Sequence, residues 1–232
     1  EPVAAATLGQ VYRGRLRDGM PGLEGYTGGR EVAVKVQRPN MLEAICLDLM
    51  LLRGVAPLLK RSLGLNSDVE GLVDEWGRGF VAELDYRTEG LRAVEFSEAM
   101  RRRNIDTVTS PEPALDLSTG QVLVSEWVEG ERLEKSSSED VAKLCGVALT
   151  AYLTMLLDTG TLHADPHPGN LMRTQDGRLC ILDWGLTTEV TRDQQYAIIE
   201  YISHLVAEDY AKVPKDLEIG RASCRERVST SV

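Results

Sequence analysis

The 232-residue sequence predicts a two-lobed α+β protein. Alternating, β-branched segments dominate the first part of the chain, and amphipathic segments with helical spacing dominate the later part. The polar residues 132–138 are predicted to connect the two lobes. Hydrophobic residues make up 43% of the chain but aromatic residues only 5%, so we expect a core of Leu, Val, Ile and Ala.

The early segments predict a small antiparallel sheet. Residues 4–9 are predicted to form a turn, and residues 10–16 alternate as a half-buried strand. The Gly-rich residues 18–29 are predicted to form a surface loop, followed by a β-branched strand over residues 31–36. A further strand is predicted over residues 121–128.

Apolar residues spaced by three and four predict the helices. The first covers residues 40–63 and ends at Gly64. The second begins at a capping box that starts at Ser67, and it breaks near Asp85. A third helix is predicted over residues 89–103.

Two more helices are predicted after residue 138. A wide apolar stripe predicts a buried helix over residues 139–159, with Ser136 and Glu139 as a capping pair. Its uncharged run, residues 144–157, is shorter than the roughly 20 residues that a membrane span needs, so we expect no span here and leave peripheral membrane contact open. Thr191 is predicted to cap the last helix.

Charge and cysteine content exclude several classes of protein. The net charge of −10 argues against nucleic acid as a partner. The four cysteines lack paired spacing, so neither a disulfide framework nor a zinc site is indicated. Cys46, Cys145 and Cys180 lie in apolar runs and are predicted to be small core residues, which fits a reducing compartment.

The stretch from His163 to Gly185 carries the chemistry. Asp165, Asn170 and Asp183 are short oxygen donors suited to binding Mg²⁺ and aligning a phosphate. Asp165 and Asn170 have the H-x-D-x-x-x-x-N spacing of a kinase catalytic loop, and Asp183 opens a D-x-G motif after an apolar strand. Together with Lys35 in a preceding Val-Ala-Val-Lys strand, this order predicts phosphoryl-transfer chemistry.

The physics of each position suggests its role. We expect Asp183 to bind Mg²⁺, Asn170 to supply a second metal contact, and Asp165 to orient an acceptor hydroxyl or water and take its proton. We expect His163 to pack against and steady the loop backbone and Trp184 to pack in the core.

Four segments together resemble one family. They are Ala4 to Tyr12, Val32 to Pro39, Glu83 to Tyr86, and the run His-Ala-Asp-Pro-His-Pro-Gly-Asn that begins at His163. This pattern is similar to the UbiB family, the ADCK or aarF-domain proteins. The resemblance implies a protein-kinase-like fold with a small antiparallel-sheet N-lobe and a helical C-lobe, and it implies ATP and Mg²⁺ as cofactors.

The resemblance also implies a biology. It indicates support of prenyl-quinone metabolism, with a prenyl-quinone or lipid substrate, at a plastid membrane such as the thylakoid or plastoglobule. Mitochondrial and bacterial membranes are the alternatives.

The resemblance assigns further residues to the site. Glu89 is expected to hold Lys35, and both join Asp165 as catalytic residues. Glu83 and Asp85 are expected on a helix that packs over the site, with a solvated helix face as the alternative. The expected nucleotide-binding residues are Ala4, Ala5, Ala6, Gly9, Val11, Lys35, Glu126 and Val128.

The expected domains are an N-lobe with inserted helices over residues 1–130 and a partial C-lobe over residues 131–217. Residues 218–232 have no hydrophobic period and resemble a translated sequencing adapter. We interpret them as a non-native tail; a disordered basic tail is the alternative.

The phosphate loop departs from the G-x-G-x-x-G-x-V pattern of ordinary kinases. Alanines stand at the first two glycine positions, and a Cβ there restricts the backbone and its approach to phosphate. We therefore expect Ala4→Gly to raise ATP affinity or autophosphorylation. An unchanged binding isotherm would argue against this view of the loop.

Other departures concern regulation. The catalytic loop has no Arg beside its Asp, little chain separates Gly185 from the helix at Thr191, and Arg92 replaces an Asn that is frequent in the family. The family's K-x-G-Q segment is not in this sequence. Three functions are compatible: an ATP-dependent atypical kinase or ATPase, a nucleotide-binding pseudokinase scaffold, and, less favoured, a conventional Ser/Thr protein kinase.

Overall fold

The computed structural model describes residues 1–17, 28–64, 69–136 and 139–216. The chain divides into two compact units that are discontinuous in sequence. Of the described residues, the first unit contains those within 1–136 and 167–186, and the second contains 139–166 and 187–216. The predicted capping box at Ser67 and the tail 218–232 lie outside the described residues.

Both units contain strands and helices, as an α+β class requires. The strands are β1 (Ala4–Ala5), β2 (Gly9–Arg15), β3 (Glu31–Gln37), β4 (Val108–Thr109), β5 (Val122–Glu126), β6 (Gly130–Arg132), β7 (Thr161–His163), β8 (Leu171–Thr174), β9 (Leu179–Ile181) and β10 (Thr187–Glu189). The α-helices are α1 (Met41–Leu63), α2 (Val69–Ala82), α3 (Tyr86–Arg102), α4 (Val141–Thr154) and α5 (Arg192–Val206).

The first unit contains the predicted antiparallel sheet, in the order β1-β2-β3-β5. The alternation of β3 places its valines on one face of this sheet and Lys35 on the other. The valine face packs into a small core formed by Leu16, Val32, Ala114 and Val124. The opposite face is therefore the one available to a functional site.

The boundary between the units differs from the predicted division at residue 130. A second sheet of the first unit has the order β4-β9-β8-β6, with β4 parallel to β9 and the other neighbours antiparallel. Strands β8 and β9 form a hairpin, and Asp183 follows its second strand. Because β8 pairs with β6 and β9 pairs with β4, residues 167–186 belong to the first unit. Long-range pairing of this kind leaves no local pattern in the sequence.

The helix boundaries of the first unit agree closely with prediction. Gly64 ends α1 in the left-handed conformation, with φ of 62°. The predicted break near Asp85 is confirmed, because Asp85 is the N-cap of α3 and its side chain accepts from the backbone N–H groups of Arg87 and Thr88. Cys46 on α1 is exposed, which corrects its assignment to the core, whereas Cys180 on β9 is fully buried as expected.

The second unit contains α4, a π-helical turn at Met155–Thr159, the β7–β10 pair and α5. Thr191 caps α5 in a complete capping box with Gln194, as predicted. The start of α4 differs from prediction, because its N-cap is Asp140 rather than the Ser136–Glu139 pair.

The long helix of the second unit is less buried than predicted. Only Leu144, Ala151 and Met155 are buried along it, and Leu149 is 61% exposed. Cys145 is also exposed, which corrects its assignment to the core. The apolar stripe of this helix is wider than the surface that the π-helical turn, β7 and α5 cover among the described elements.

This helix also bears on membrane contact. The 19 residues Val141–Thr159 are long and apolar enough, by length and composition, to cross a membrane, although core helices of soluble proteins pass the same test. The expectation that this segment is too short for a span is therefore not supported by its length in the structure.

Candidate functional site

A buried ion pair lies at the centre of the candidate site. Lys35 projects from β3, and its Nζ lies 2.8 Å from Oε1 and 2.9 Å from Oε2 of Glu89. The Lys35 side chain is 24% exposed and that of Glu89 only 4%. Glu89, the predicted partner of Lys35, is therefore its partner in the structure.

Helix α3 presents Glu89 to the sheet. The cap at Asp85 fixes the first turn of the helix, and Glu89 lies one turn further along it. Gly90, the next residue, has no side chain and lets the helix pack closely against β5. A Cβ at this position would lie 3.1 Å from a methyl of Leu123. Leu123 is the cross-strand neighbour of Lys35, so this contact sets the distance between the helix and the lysine.

Asp183 joins the pair from the end of β9. Its Oδ2 lies 3.3 Å from Nζ of Lys35, and its Oδ1 accepts a hydrogen bond of 2.9 Å from the backbone N–H of Gly185. Its side chain is 43% exposed, so this carboxylate faces solvent while Glu89 does not. The structure thus brings Lys35, Glu89 and Asp183 together around one ammonium group.

Asn170 lies at the same end of the β8–β9 hairpin as Asp183. It ends the 3-10 turn Pro168–Asn170, and its carbonyl accepts a 2.9 Å bond from the N–H of Leu182. Arg132 steadies this turn by donating to the carbonyl of Gly169 at 2.8 Å. Sequence reasoning missed Arg132, because its contact spans a long stretch of chain and belongs to no motif.

Trp184 packs rather than reacts, as predicted. It is 2% exposed and its ring centroid lies 4.4 Å from that of Phe96 on α3. Its indole N–H donates to the carbonyl of Ile181 at 3.3 Å. These contacts hold the segment after β9 against α3, which keeps Asp183 near Glu89.

Asp165 and His163 belong to the second unit. His163 is 2% exposed, and its Nδ1 accepts from the backbone N–H of Asp165 at 3.1 Å, which is the predicted loop-steadying role. The ring of Tyr152 meets His163 edge-on at 5.9 Å. Burial and the nearby Asp165 carboxylate raise the pKa of Tyr152 to about 12.

The alanine-rich segment differs from the predicted turn over residues 4–9. Ala4 and Ala5 form strand β1, paired with Val11 and Gln10, and the turn is confined to residues 6–8. A backbone bond of 2.9 Å from the N–H of Ala6 to the carbonyl of Gly9 closes it. Short alanine runs carry no periodic signal that would separate strand from turn.

The two remaining nucleotide candidates lie at the end of β5. Glu126 is the last residue of that strand, and Val128 follows it at intermediate exposure. Glu126 lies 3.6 Å from the guanidinium of Arg30. Their predicted part in nucleotide binding stays a prediction.

Burial and the neighbouring charges shift the pKa values of Lys35 and Glu89 in opposite directions. Burial raises the pKa of Glu89 to about 7, although Lys35 opposes this shift. Burial lowers the pKa of Lys35, but the carboxylates of Glu89 and Asp183 more than offset it, so the net pKa is raised. Lys35 is therefore charged throughout the physiological range.

The raised pKa of Glu89 makes the stability of the fold depend on pH. A folded pKa of about 7 exceeds the ordinary 4.5, so the folded state binds this proton more tightly than the unfolded state. The stabilisation is complete below about pH 4.5 and is lost as pH rises through 7. From pH 5 to pH 8 we expect wild type to lose roughly 3 kcal/mol more than Glu89→Gln in urea unfolding. If the unfolding free energies of the two proteins changed in parallel with pH, the raised pKa of Glu89 would be contradicted.

The space around Gly9, at the start of β2, leaves no room for a side chain. A Cβ there would lie 2.8 Å from the backbone oxygen of Val36 and 2.5 Å from the hydroxyl of Tyr86. We expect Gly9→Ala to destabilise the fold by about 1–3 kcal/mol in urea unfolding, because the strand backbone must shift. Gly14→Ala on the same strand is the control, since its nearest contact would be an ordinary 3.5 Å. Equal stability of the two variants would contradict this expectation.

The residues of the first unit fit Mg²⁺ with a phosphate ligand. Across the described residues, no group of three or more His, Cys, Asp or Glu side chains forms a metal cage. Mg²⁺ commonly uses one or two protein oxygens and completes its shell with phosphates and water. A half-exposed Asp183 and the neighbouring Asn170 are such a donor set, and Lys35 supplies the adjacent positive charge.

Comparison with known families agrees with this geometry. A family model described as the ABC1 atypical kinase-like domain matches residues 1–217. This chain belongs to the ABC1 family. The resemblance to aarF-domain proteins is thereby confirmed, and the chain is a kinase-like domain.

Two Arabidopsis thaliana proteins are similar to this ABC1 chain. An uncharacterised aarF domain-containing protein kinase, named chloroplastic, is 40% identical over 216 residues, which cover 93% of this chain and 29% of that protein. The chloroplastic Protein ACTIVITY OF BC1 COMPLEX KINASE 3 is 39% identical, with 93% of this chain and 30% of that protein covered. The chain thus spans less than a third of these curated relatives.

A solved structure confirms the fold of the ABC1 chain. A Mycobacterium tuberculosis protein, determined in complex with erythromycin, has 29% sequence identity and a TM-score of 0.67. The match covers 94% of this chain and 53% of that one. The protein-kinase-like α+β fold predicted from the sequence is therefore correct.

Proposed function

We propose that this ABC1 domain binds Mg-ATP and uses it as an atypical kinase or ATPase. One observation carries the proposal: Nζ of Lys35 lies within 2.9 Å of both Glu89 oxygens and 3.3 Å from Asp183. A buried carboxylate that holds a lysine beside a solvent-facing carboxylate is the arrangement that kinases use to position nucleotide phosphates.

Each residue has a distinct part in the proposed reaction. Lys35, held by Glu89, binds phosphate oxygens, while Asp183 and Asn170 hold the metal ion. Bound Mg²⁺ would supply neutralisation of the charge that develops on the phosphates. Asp165 orients the acceptor hydroxyl or a water and accepts its proton.

A pseudokinase scaffold for a lipid-biosynthetic complex is the second candidate. It is favoured by the alanine-rich segment, where Ala4 and Ala5 pair as a strand with β2 instead of forming a glycine loop. A conventional Ser/Thr protein kinase is less favoured, because β10 begins at Thr187 and α5 at Arg192, leaving little chain for a peptide-binding segment.

We further propose that the protein acts in a plastid, in prenyl-quinone metabolism at a thylakoid or plastoglobule membrane. The plastid assignment is supported by the names of the two Arabidopsis relatives. Membrane contact is supported by the apolar helix Val141–Thr159. The quinone or lipid substrate rests on the family resemblance.

Nucleotide titration combined with ATP hydrolysis, each with and without liposomes, separates the candidates. The enzyme predicts Mg²⁺-dependent binding together with turnover, and Asp165→Asn should retain binding while losing turnover. Binding without turnover in every condition would overturn the enzyme and leave the scaffold. Strong phosphorylation of a generic peptide would instead favour the conventional kinase.

A further inference from the structure

The hydroxyl of Tyr86 is buried without a hydrogen-bonding partner among the residues that the structure describes. Tyr86 is 1% exposed, and no hydrogen-bonding atom of the described residues pairs with its Oη. Buried tyrosine hydroxyls are almost always hydrogen-bonded, because an unmade bond costs stability. A phenylalanine would fill the same space without that cost, so the hydroxyl requires an explanation.

The ring that carries this hydroxyl is firmly placed. Tyr86 is the first residue of α3, directly after the cap at Asp85, and its N–H donates to the carbonyl of Gly120 at 3.0 Å. Nζ of Lys35 lies 4.8 Å from the centre of the ring, within the range of a cation–π contact. The ring therefore has a fixed position beside the lysine that is expected to bind phosphate.

The hydroxyl points at the start of β2. A Cβ on Gly9 would lie 2.5 Å from Oη, so the backbone of Gly9 rests directly against it. Gly9 is also the position that matches the last glycine of a phosphate-binding loop. Tyr86 thus lies between Gly9 and Lys35.

We propose that the Tyr86 hydroxyl is a positioning donor that binds a phosphate oxygen of the nucleotide held by Lys35. The proposal rests on the proposed nucleotide site and adds one residue to it. Since the backbone of Gly9 covers the hydroxyl, the start of β2 must move for the contact to form, which couples nucleotide binding to the position of the adjoining alanine-rich segment. Burial raises the pKa of Tyr86, so the group stays protonated and can donate at neutral pH.

Tyr86→Phe tests this role with two readouts that move in opposite directions. In the absence of nucleotide, we expect its thermal midpoint to be unchanged or up to about 5 °C higher, because an unpaired buried hydroxyl is removed. Its affinity for Mg-ADP should fall by about 10- to 100-fold, as for a lost hydrogen bond to a charged group. Its affinity for adenosine, which has no phosphate, should equal that of wild type.

Tyr12→Phe is the matched control. Tyr12 lies on β2 near Gly9, but its hydroxyl already donates to Gln10 at 2.6 Å. We expect this variant to bind Mg-ADP as wild type does.

Two results would overturn the role of Tyr86 and leave the proposed function standing. One is wild-type Mg-ADP affinity in Tyr86→Phe. The other is a lowered thermal midpoint with equal losses for adenosine and Mg-ADP, which would show a purely structural role. Failure of the wild-type chain to bind any nucleotide would overturn the proposed function itself, and the phosphate contact with it.

Discussion

Asp183→Asn is expected to abolish Mg²⁺-dependent nucleotide binding while leaving the fold intact. The amide can still accept the 2.9 Å bond from the N–H of Gly185, so the local backbone is kept. It cannot supply the negative charge that lies 3.3 Å from Nζ of Lys35 and that a metal ion requires. We expect an affinity loss of roughly 100-fold or more, measured by calorimetric titration with Mg-ATP and again with EDTA.

Asp176→Asn is the control for this substitution. Asp176 lies in the turn of the same β8–β9 hairpin, and its side chain is 56% exposed and paired with Arg178. The control removes an equal charge from the same hairpin, so we expect wild-type binding. If Asp183→Asn bound Mg-ATP as tightly as this control, the metal assignment would be wrong.

Lys35→Met is expected to cost both stability and nucleotide binding. The substitution leaves the Glu89 carboxylate, with a side chain 4% exposed, without its cation. Breaking a buried pair from one side costs about 3 kcal/mol, which corresponds to a fall of about 10 °C in thermal midpoint for a chain of this size. Urea unfolding at pH 8 and nucleotide titration measure the two effects separately.

The double variant Lys35→Met with Glu89→Leu separates fold from function. Replacing both partners of a buried pair by apolar residues is often close to neutral for stability. We therefore expect the double variant to recover most of the lost unfolding free energy but none of the nucleotide binding. Lys143→Met, an exposed lysine on α4, is the control and should change neither. Recovery of binding in the double variant would refute the phosphate role of Lys35.

Much of the site was predictable because its residues stand at fixed places in local elements. Lys35 lies in an alternating strand, Glu89 one turn after a capping aspartate, and Asp183 two residues after a short apolar strand. Local patterns of this kind specify which face of an element a side chain occupies. In the structure, Glu89 and Asp183 both contact Lys35, as the order of the kinase-like motifs predicts.

What the sequence could not predict depends on contacts between distant segments. The pairing of β4 with β9 moves residues 167–186 into the first unit, although they follow the helix of the second. Apolar periodicity also does not show how much of a stripe other elements cover, so Cys145 and Leu149 are exposed on a helix whose pattern predicts burial. No sequence pattern predicts the hydroxyl of Tyr86, because its lack of a hydrogen-bonding partner within the described part of the chain is a property of the three-dimensional structure.

Electron paramagnetic resonance of Mn²⁺, used in place of Mg²⁺ with ADP, tests the proposed metal–nucleotide site most directly. We predict that wild type with ADP removes free Mn²⁺ signal beyond the loss that ADP alone causes, up to one further ion per chain, and that Asp183→Asn with ADP shows only the loss that ADP alone causes. Equal loss of signal in wild type and Asp183→Asn, or nucleotide binding that leaves the spectrum unchanged from Mn²⁺ with ADP alone, would contradict a metal–nucleotide site built on Lys35, Glu89 and Asp183.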